Sequence, residues 1–94
     1  MSSMAVNVRI PTTMRPLTGG DKQVALDPGP LSDVIAALET AHPGMGDRLL
    51  DEDGALRKFV NIFVDDDDVR YLDGLNTQVG DNITVSIIPA VAGG

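Results

Sequence analysis

The chain ends on Ala90-Val91-Ala92-Gly93-Gly94, a small uncharged run whose one ionic group is the terminal carboxylate. Glycine has no Cβ, so the walls of a partner's groove can close on its backbone. Val91 is the one sizeable side chain that a pocket would hold. An α-carboxyl titrates at about 3.3–3.7, so Gly94 is ionised at neutral pH. In that form it is a poor electrophile until one oxygen becomes a better leaving group. The other chemistry-bearing residues offer less. Asp65–Asp68 is a run of carboxylates that could ligate a hard cation, but a calcium loop needs an oxygen ligand and then glycine where Val69 and Arg70 stand. A solvated hairpin turn is the expectation there. Gly19-Gly20 is followed by no Lys-Ser/Thr pair, so it reads as a loop and not a phosphate cradle. His42 is the only histidine and falls where a helix should end, a position that suits a cation against the helix dipole. Ser32 and Thr40 lack a recognisable His–Asp partnership to activate them. Cysteine is absent, which removes disulfides, zinc thiolates, iron–sulfur ligation and a thiol nucleophile. We therefore expect no catalytic residue, no metal site and no cofactor in this chain, with its chemistry on the C-terminus.

The elements that must present this terminus follow from hydrophobic period. Val6, Val8 and Ile10 alternate with Asn7 and Arg9, which predicts a half-buried strand. Pro11 and Pro16 bracket a loop closing at Gly19-Gly20, and Lys22 to Leu26 returns as a second strand with Val24 and Leu26 inward. Asp27-Pro28-Gly29-Pro30 is a turn that prepares a helix start. Leu31, Val34, Ile35, Leu38 and Ala41 recur at helical spacing, and Pro43-Gly44 ends that helix. Met45, Leu49 and Leu50 predict a further short helical turn. Phe59 to Val64 is the clearest strand, with Val60, Ile62 and Val64 on one face and Phe59, Asn61 and Phe63 on the other. Asn61 sets the second face outward, so Phe59 and Phe63, with Ile88 nearby, form either an exposed docking patch or a surface covered by loops. A short strand is expected around Val69-Arg70-Tyr71, then an irregular link through Leu72, Gly74 and Leu75. The turn Gly80-Asp81-Asn82 precedes a last strand with Ile83, Val85 and Ile87 inward, whose hydrogen bonding Pro89 ends. One main helix against a mixed sheet is an α+β fold of β-grasp, ubiquitin-like arrangement. We expect one domain over residues 1–94, with 89–94 as a flexible tail.

With 94 residues, the chain hides about 60–70% of its unfolded surface and has little room for both a core and a deep cleft. Phe59, Phe63 and Tyr71 are its only aromatics, so the core must be aliphatic. Seven basic against 14 acidic residues give a net charge of −7, with pI near 4.3. That balance disfavours nucleic acid and anionic membranes and favours a basic protein partner. No apolar run approaches the roughly 20 residues of a membrane span, and no basic stretch followed by an apolar one opens the chain. A cytoplasmic protein is the expectation.

The run from Ile83 through Pro89-Ala90-Val91-Ala92-Gly93-Gly94 resembles the C-terminal signature of the ThiS/MoaD family of ubiquitin-like sulfur carriers. The resemblance extends over residues 6–94. It is sharpest toward the CysO branch, which serves cysteine biosynthesis, at Arg15-Pro16, Thr18-Gly19-Gly20, Phe59-Val60-Asn61-Ile62 and Asp67-Asp68-Val69-Arg70. Val79 departs from it, standing where an acidic residue often precedes the glycine of a turn. The resemblance implies that an E1-like enzyme adenylates Gly94 with ATP and converts it to a thiocarboxylate. Pro89, Ala90, Val91, Ala92 and Gly93 would form the tail that partners bind. A PLP-dependent cysteine synthase would accept the sulfur, and a protease, expected to be a metalloprotease, would release the cysteine. The chain would be a monomer joining transient heteromers. Molybdopterin or thiamin biosynthesis, a ubiquitin-like modifier and a pure interaction module remain alternatives at this stage.

Overall fold

The computed structural model describes residues 5–89. Strand β1, Val6–Arg9, pairs antiparallel with β2, Gln23–Leu26, as the alternating apolar residues require. Val6, Val8 and Ile10 are all buried, whereas Val24 and Leu26 are half-buried. The segment between them is not a plain loop. Thr12–Thr18 winds into a 3-10 helix that buries Met14 and Thr18, and Gly19 ends it at φ 66°. The hydroxyl of Thr18 donates toward the carbonyls of Arg15 and Asp21, at 3.1 and 2.9 Å, which lets a polar side chain enter the core.

Helix α1, Leu31–Ala41, buries Leu31, Val34, Ile35 and Leu38. Ala41 shares their spacing yet is exposed, because the helix outruns its packing partners in the last turn, where the chain turns away through His42–Gly44. At the other end Pro30 supplies no side-chain cap, and the Leu31 amide donates instead to the Thr77 carbonyl at 2.8 Å. This bond continues a short antiparallel pair between β3, Gly29–Pro30, and β6, Gln78–Val79, which the turn signals around Pro28 did not indicate. The short helix α2, Met45–Leu49, forms as expected and buries Met45 and Leu49. Gly44 opens it at φ 101°, a conformation that disfavours any side chain.

Glu39 caps α2 across the turn. Its carboxylate accepts from the Gly44 amide at 3.1 Å and from the Gly46 amide at 2.8 Å. A Cβ on Gly46 would lie 2.9 Å from Glu39 Oε1, so the carboxylate and the glycine are fitted to each other. Glu39→Ala should destabilise the domain by about 1 kcal/mol. Thermal unfolding followed by circular dichroism should show a midpoint lower by roughly 4–8 °C.

Strand β4, Val60–Val64, buries Val60 and Ile62. Asp65 and Asp66 form a tight turn, with Asp65 at φ 55°, into β5, Asp67–Asp68. The strand expected at residues 69–71 is a 3-10 helix instead. The Asp68 carboxylate caps it by accepting from the Arg70 amide at 2.9 Å, a local bond that competes with strand pairing. Strand β7, Thr84–Pro89, lies in the middle of the sheet, parallel to β1 and antiparallel to β4, in the order β2-β1-β7-β4-β5. α1 and α2 supply the buried residues that pack with this sheet in one core, which contains no aromatic side chain among the described residues. The architecture is the α+β β-grasp expected from the element order. Among the described residues no helix is long and apolar enough to cross a membrane.

Candidate functional site

β7 carries the chain from the centre of the sheet toward its C-terminus, so the site to be built is the end of that strand. The register places Ile88 opposite Asn61 and Pro89 opposite Val60. Pro89 is thus still a strand residue. Asp65 N–H donates to the Thr84 carbonyl at 2.8 Å, so the ladder bonds of β4 to β7 run through the odd-numbered residues of β4. The Val60–Pro89 pair needs no N–H from Pro89, and proline is tolerated. Ala90, Val91, Ala92, Gly93 and Gly94 lie outside the described residues.

The Val60 carbonyl points to the other side, where β5 is too short to meet it. Arg70 covers it, with Nη2 donating to Val60 O at 2.8 Å and to Arg57 O at 2.9 Å. Nη1 of the same guanidinium donates to Asn61 Oδ1. Asn61, whose polarity turned this face outward, is therefore also the anchor that holds Arg70 across the start of β4. An otherwise open strand edge is closed by one charged side chain.

Of the proposed docking patch, Phe59 is 64% exposed and Ile88 47% exposed, while Phe63 is half-buried opposite Ser86 and Asp68. Phe59 and Ile88 are the open apolar members, and Phe63 contributes an edge. Two shallow grooves flank Pro89. Arg9, Arg15, Lys22, Ile88 and Pro89 line one of about 580 Å³. Arg48, Arg57, Phe59, Val60 and Pro89 line the other, of about 560 Å³. The basic residues here come from β1, the 3-10 turn, the residue just before β2, α2 and the loop before β4. Sequence reasoning missed them as a group, because no motif or spacing joins residues scattered from 9 to 57.

Local hydrogen bonds hold parts of three of the remaining candidates. Thr40 Oγ donates to the Ala36 carbonyl at 3.0 Å. The His42 amide caps α1 by donating to Leu38 O at 2.8 Å. In the aspartate run, Asp65 Oδ1 accepts from the Thr84 amide at 3.2 Å, and Asp68 caps the turn after β5.

Known proteins align with this arrangement over nearly its whole length. The ThiS family model matches residues 8–94. The sulfur carrier protein CysO of Mycobacterium tuberculosis is 48% identical over 93 residues, covering 97% of this chain and all of the relative. A solved structure of M. tuberculosis CysO superposes with TM-score 0.87 at 46% identity, covering 92% of this chain and 99% of that one. The structure of an Amycolatopsis orientalis BexX/CysO complex gives TM-score 0.90 at 43% identity, covering 96% of this chain and 100% of that one. A carrier-type domain that presents its C-terminus from the central strand, matched by sequence to its final glycine and by fold across nearly its whole length, belongs to the ThiS family.

Proposed function

We propose that this chain is the sulfur carrier of a cysteine biosynthetic route, a protein co-substrate and not an enzyme, whose working group is the Gly94 carboxylate. The observation that carries the reading is the placement of β7: the family match runs on to Gly94 from a strand that is held on both sides. In the proposed sequence, the Gly94 carboxylate oxygen attacks the α-phosphorus of ATP on an E1-like enzyme, and pyrophosphate leaves. A sulfide-level nucleophile then attacks the acyl carbon of the adenylate. AMP departs, leaving a thiocarboxylate on Gly94. On a PLP-dependent cysteine synthase that sulfur would replace the β-leaving group of an activated serine, and a metalloprotease would hydrolyse the resulting carrier–cysteine bond with water, freeing cysteine and restoring the Gly94 carboxylate.

The chain's own residues bind and position. Pro89 to Gly93 form the tail that enters the partner's channel, with Val91 as the side chain a pocket holds and the glycines allowing close walls. Residues 1–94 act as one domain with this tail. Phe59 and Ile88 meet the partner's surface at the root of the tail, with Phe63 at the edge of the contact. The experiment is intact mass spectrometry after incubation with the E1-like enzyme, ATP and a sulfide donor. Exchange of one oxygen for sulfur is the expected result. Conjugates of higher mass on protein lysines would instead identify a modifier, and an unchanged mass with an enzyme active on other carriers would refute the reading.

A further inference from the structure

The acidic composition conceals a sorting of charge along β7. The basic residues of both grooves surround Pro89. Arg70 adds its guanidinium beside them, bonded to Arg57 O and Val60 O. Lys58 sits in sequence between Arg57 and Phe59, so all seven lysines and arginines of the chain belong to this end or its border. At the opposite end of the strand stand Asp81, which binds the Ala5 amide, and the turn Asp65-Asp66 beside Thr84. Asp47 is the one carboxylate among the residues lining the two grooves, and there its backbone carbonyl accepts from Arg57 Nε at 2.8 Å. Arg15 Nε likewise donates to a carbonyl, that of Ile10 at 3.2 Å. These guanidiniums are fixed in place by uncharged oxygens, which orient them without neutralising them.

From Thr84 to Pro89 β7 rises about 17 Å at roughly 3.3 Å per residue, about two Debye lengths of about 8 Å at physiological salt. A surface docking at the end of β7 therefore meets groove linings with five basic residues and one acidic one, although the whole molecule carries −7. Five residues follow Pro89, and in extended form they would carry the carboxylate up to about 17 Å beyond it, so the ring is assigned to docking and not to the nucleotide. We infer that the ring around the tail root is a docking surface for an acidic partner: the tail channel of the activating enzyme opens through a rim of aspartates and glutamates that seat against Arg9, Lys22 and Arg48, with Phe59 and Ile88 at the apolar centre. This reverses the basic partner that net charge alone suggests, and it rests on the carrier reading above.

Rim charges act mainly on association rate and its salt dependence. The test measures association of this chain with the E1-like adenylating enzyme of the same genome by stopped flow, at low and near-physiological ionic strength. Pyrophosphate exchange is followed in the same preparations. Lys22→Glu with Arg48→Glu, one exposed residue from each groove, should slow association about tenfold or more and remove most of its salt dependence. Asp66→Lys, at the far end of β7, should stay within about twofold of the unsubstituted chain. Circular dichroism should show all variants folded. Unchanged or faster association of the doubly reversed variant would overturn the acidic rim, as would loss of exchange with association intact, which would put the ring on the nucleotide. Charge-dependent association without any adenylation of the unsubstituted chain would leave the docking surface standing and reject the carrier reading instead.

Discussion

Deleting Gly94 should abolish thiocarboxylate formation and leave the melting temperature where it was. Among the described residues the buried core runs from Val6 to Ile87, and Gly94 has no side chain to add to it. What remains is a tail one residue short, with Gly93 as its terminus. A carboxylate displaced by one residue misses its attack position by about 3.4 Å, and misplacement of about 1 Å is enough to lower a rate by roughly a hundredfold. Turnover by the activating enzyme should therefore fall by two or more orders of magnitude. An alanine added after Gly94 should have the same effect from the other direction. Intact mass reports the chemistry and thermal denaturation the fold. A variant that unfolds would make the tail a structural element, and one that still gains sulfur would move the working group elsewhere.

The second large effect is on stability. Leu38 is 1% exposed and lies on the face of α1 that supplies the core. Leu38→Ala removes a buried aliphatic side chain from a core with no aromatic ring to shift into the space. A loss of about 3–4 kcal/mol is expected. For a domain whose whole stability is of order 5–15 kcal/mol, that brings the midpoint down by well over about 12 °C. Urea denaturation should show a lower midpoint with an unchanged slope. The same truncation at Phe59, which is 64% exposed, should leave stability nearly unaltered and weaken docking, so the pair separates core from interface.

What was readable in the sequence were the elements that bury one face. Val6-Val8-Ile10 and Val85-Ile87 alternate because each strand has a buried side, whereas Ile83, expected inward on the last strand, precedes β7 in the turn and is half-buried. Asn61 reports which side of β4 faces water. The period of Leu31, Val34, Ile35 and Leu38 gave α1, failing only at Ala41, where packing had already ended. The elements that were missed depend on single hydrogen bonds between distant or capping residues. The Gly29–Pro30 pair with Gln78–Val79 is two residues long and has no room for an alternating pattern. The Val69–Tyr71 turn is decided by the Asp68 carboxylate, and the Thr12–Thr18 turn contains a proline that discourages a helical reading. For the site, the tail was legible because its residues are consecutive. The basic ring was not, because it is assembled from five separate segments and exists only once the sheet has formed.

The position of β7 also orders events in time. Among the described residues it is the last strand made, yet it joins β1 to β4, and the sheet order gives the β2-β1 and β4-β5 halves no direct pairing without it. A nascent chain cannot close its sheet before Thr84–Pro89 has emerged, and only five residues then remain to Gly94. Long-range closure of this kind is slow and leaves apolar edges exposed until it happens. A message broken or a ribosome stalled upstream of Thr84 therefore yields a chain that cannot fold and is open to proteolysis. On the carrier reading proposed above, the strand that closes the sheet is also the one that leads to the working group, so copies broken upstream of Thr84 would be cleared as unfolded before they could occupy an activating enzyme without accepting sulfur.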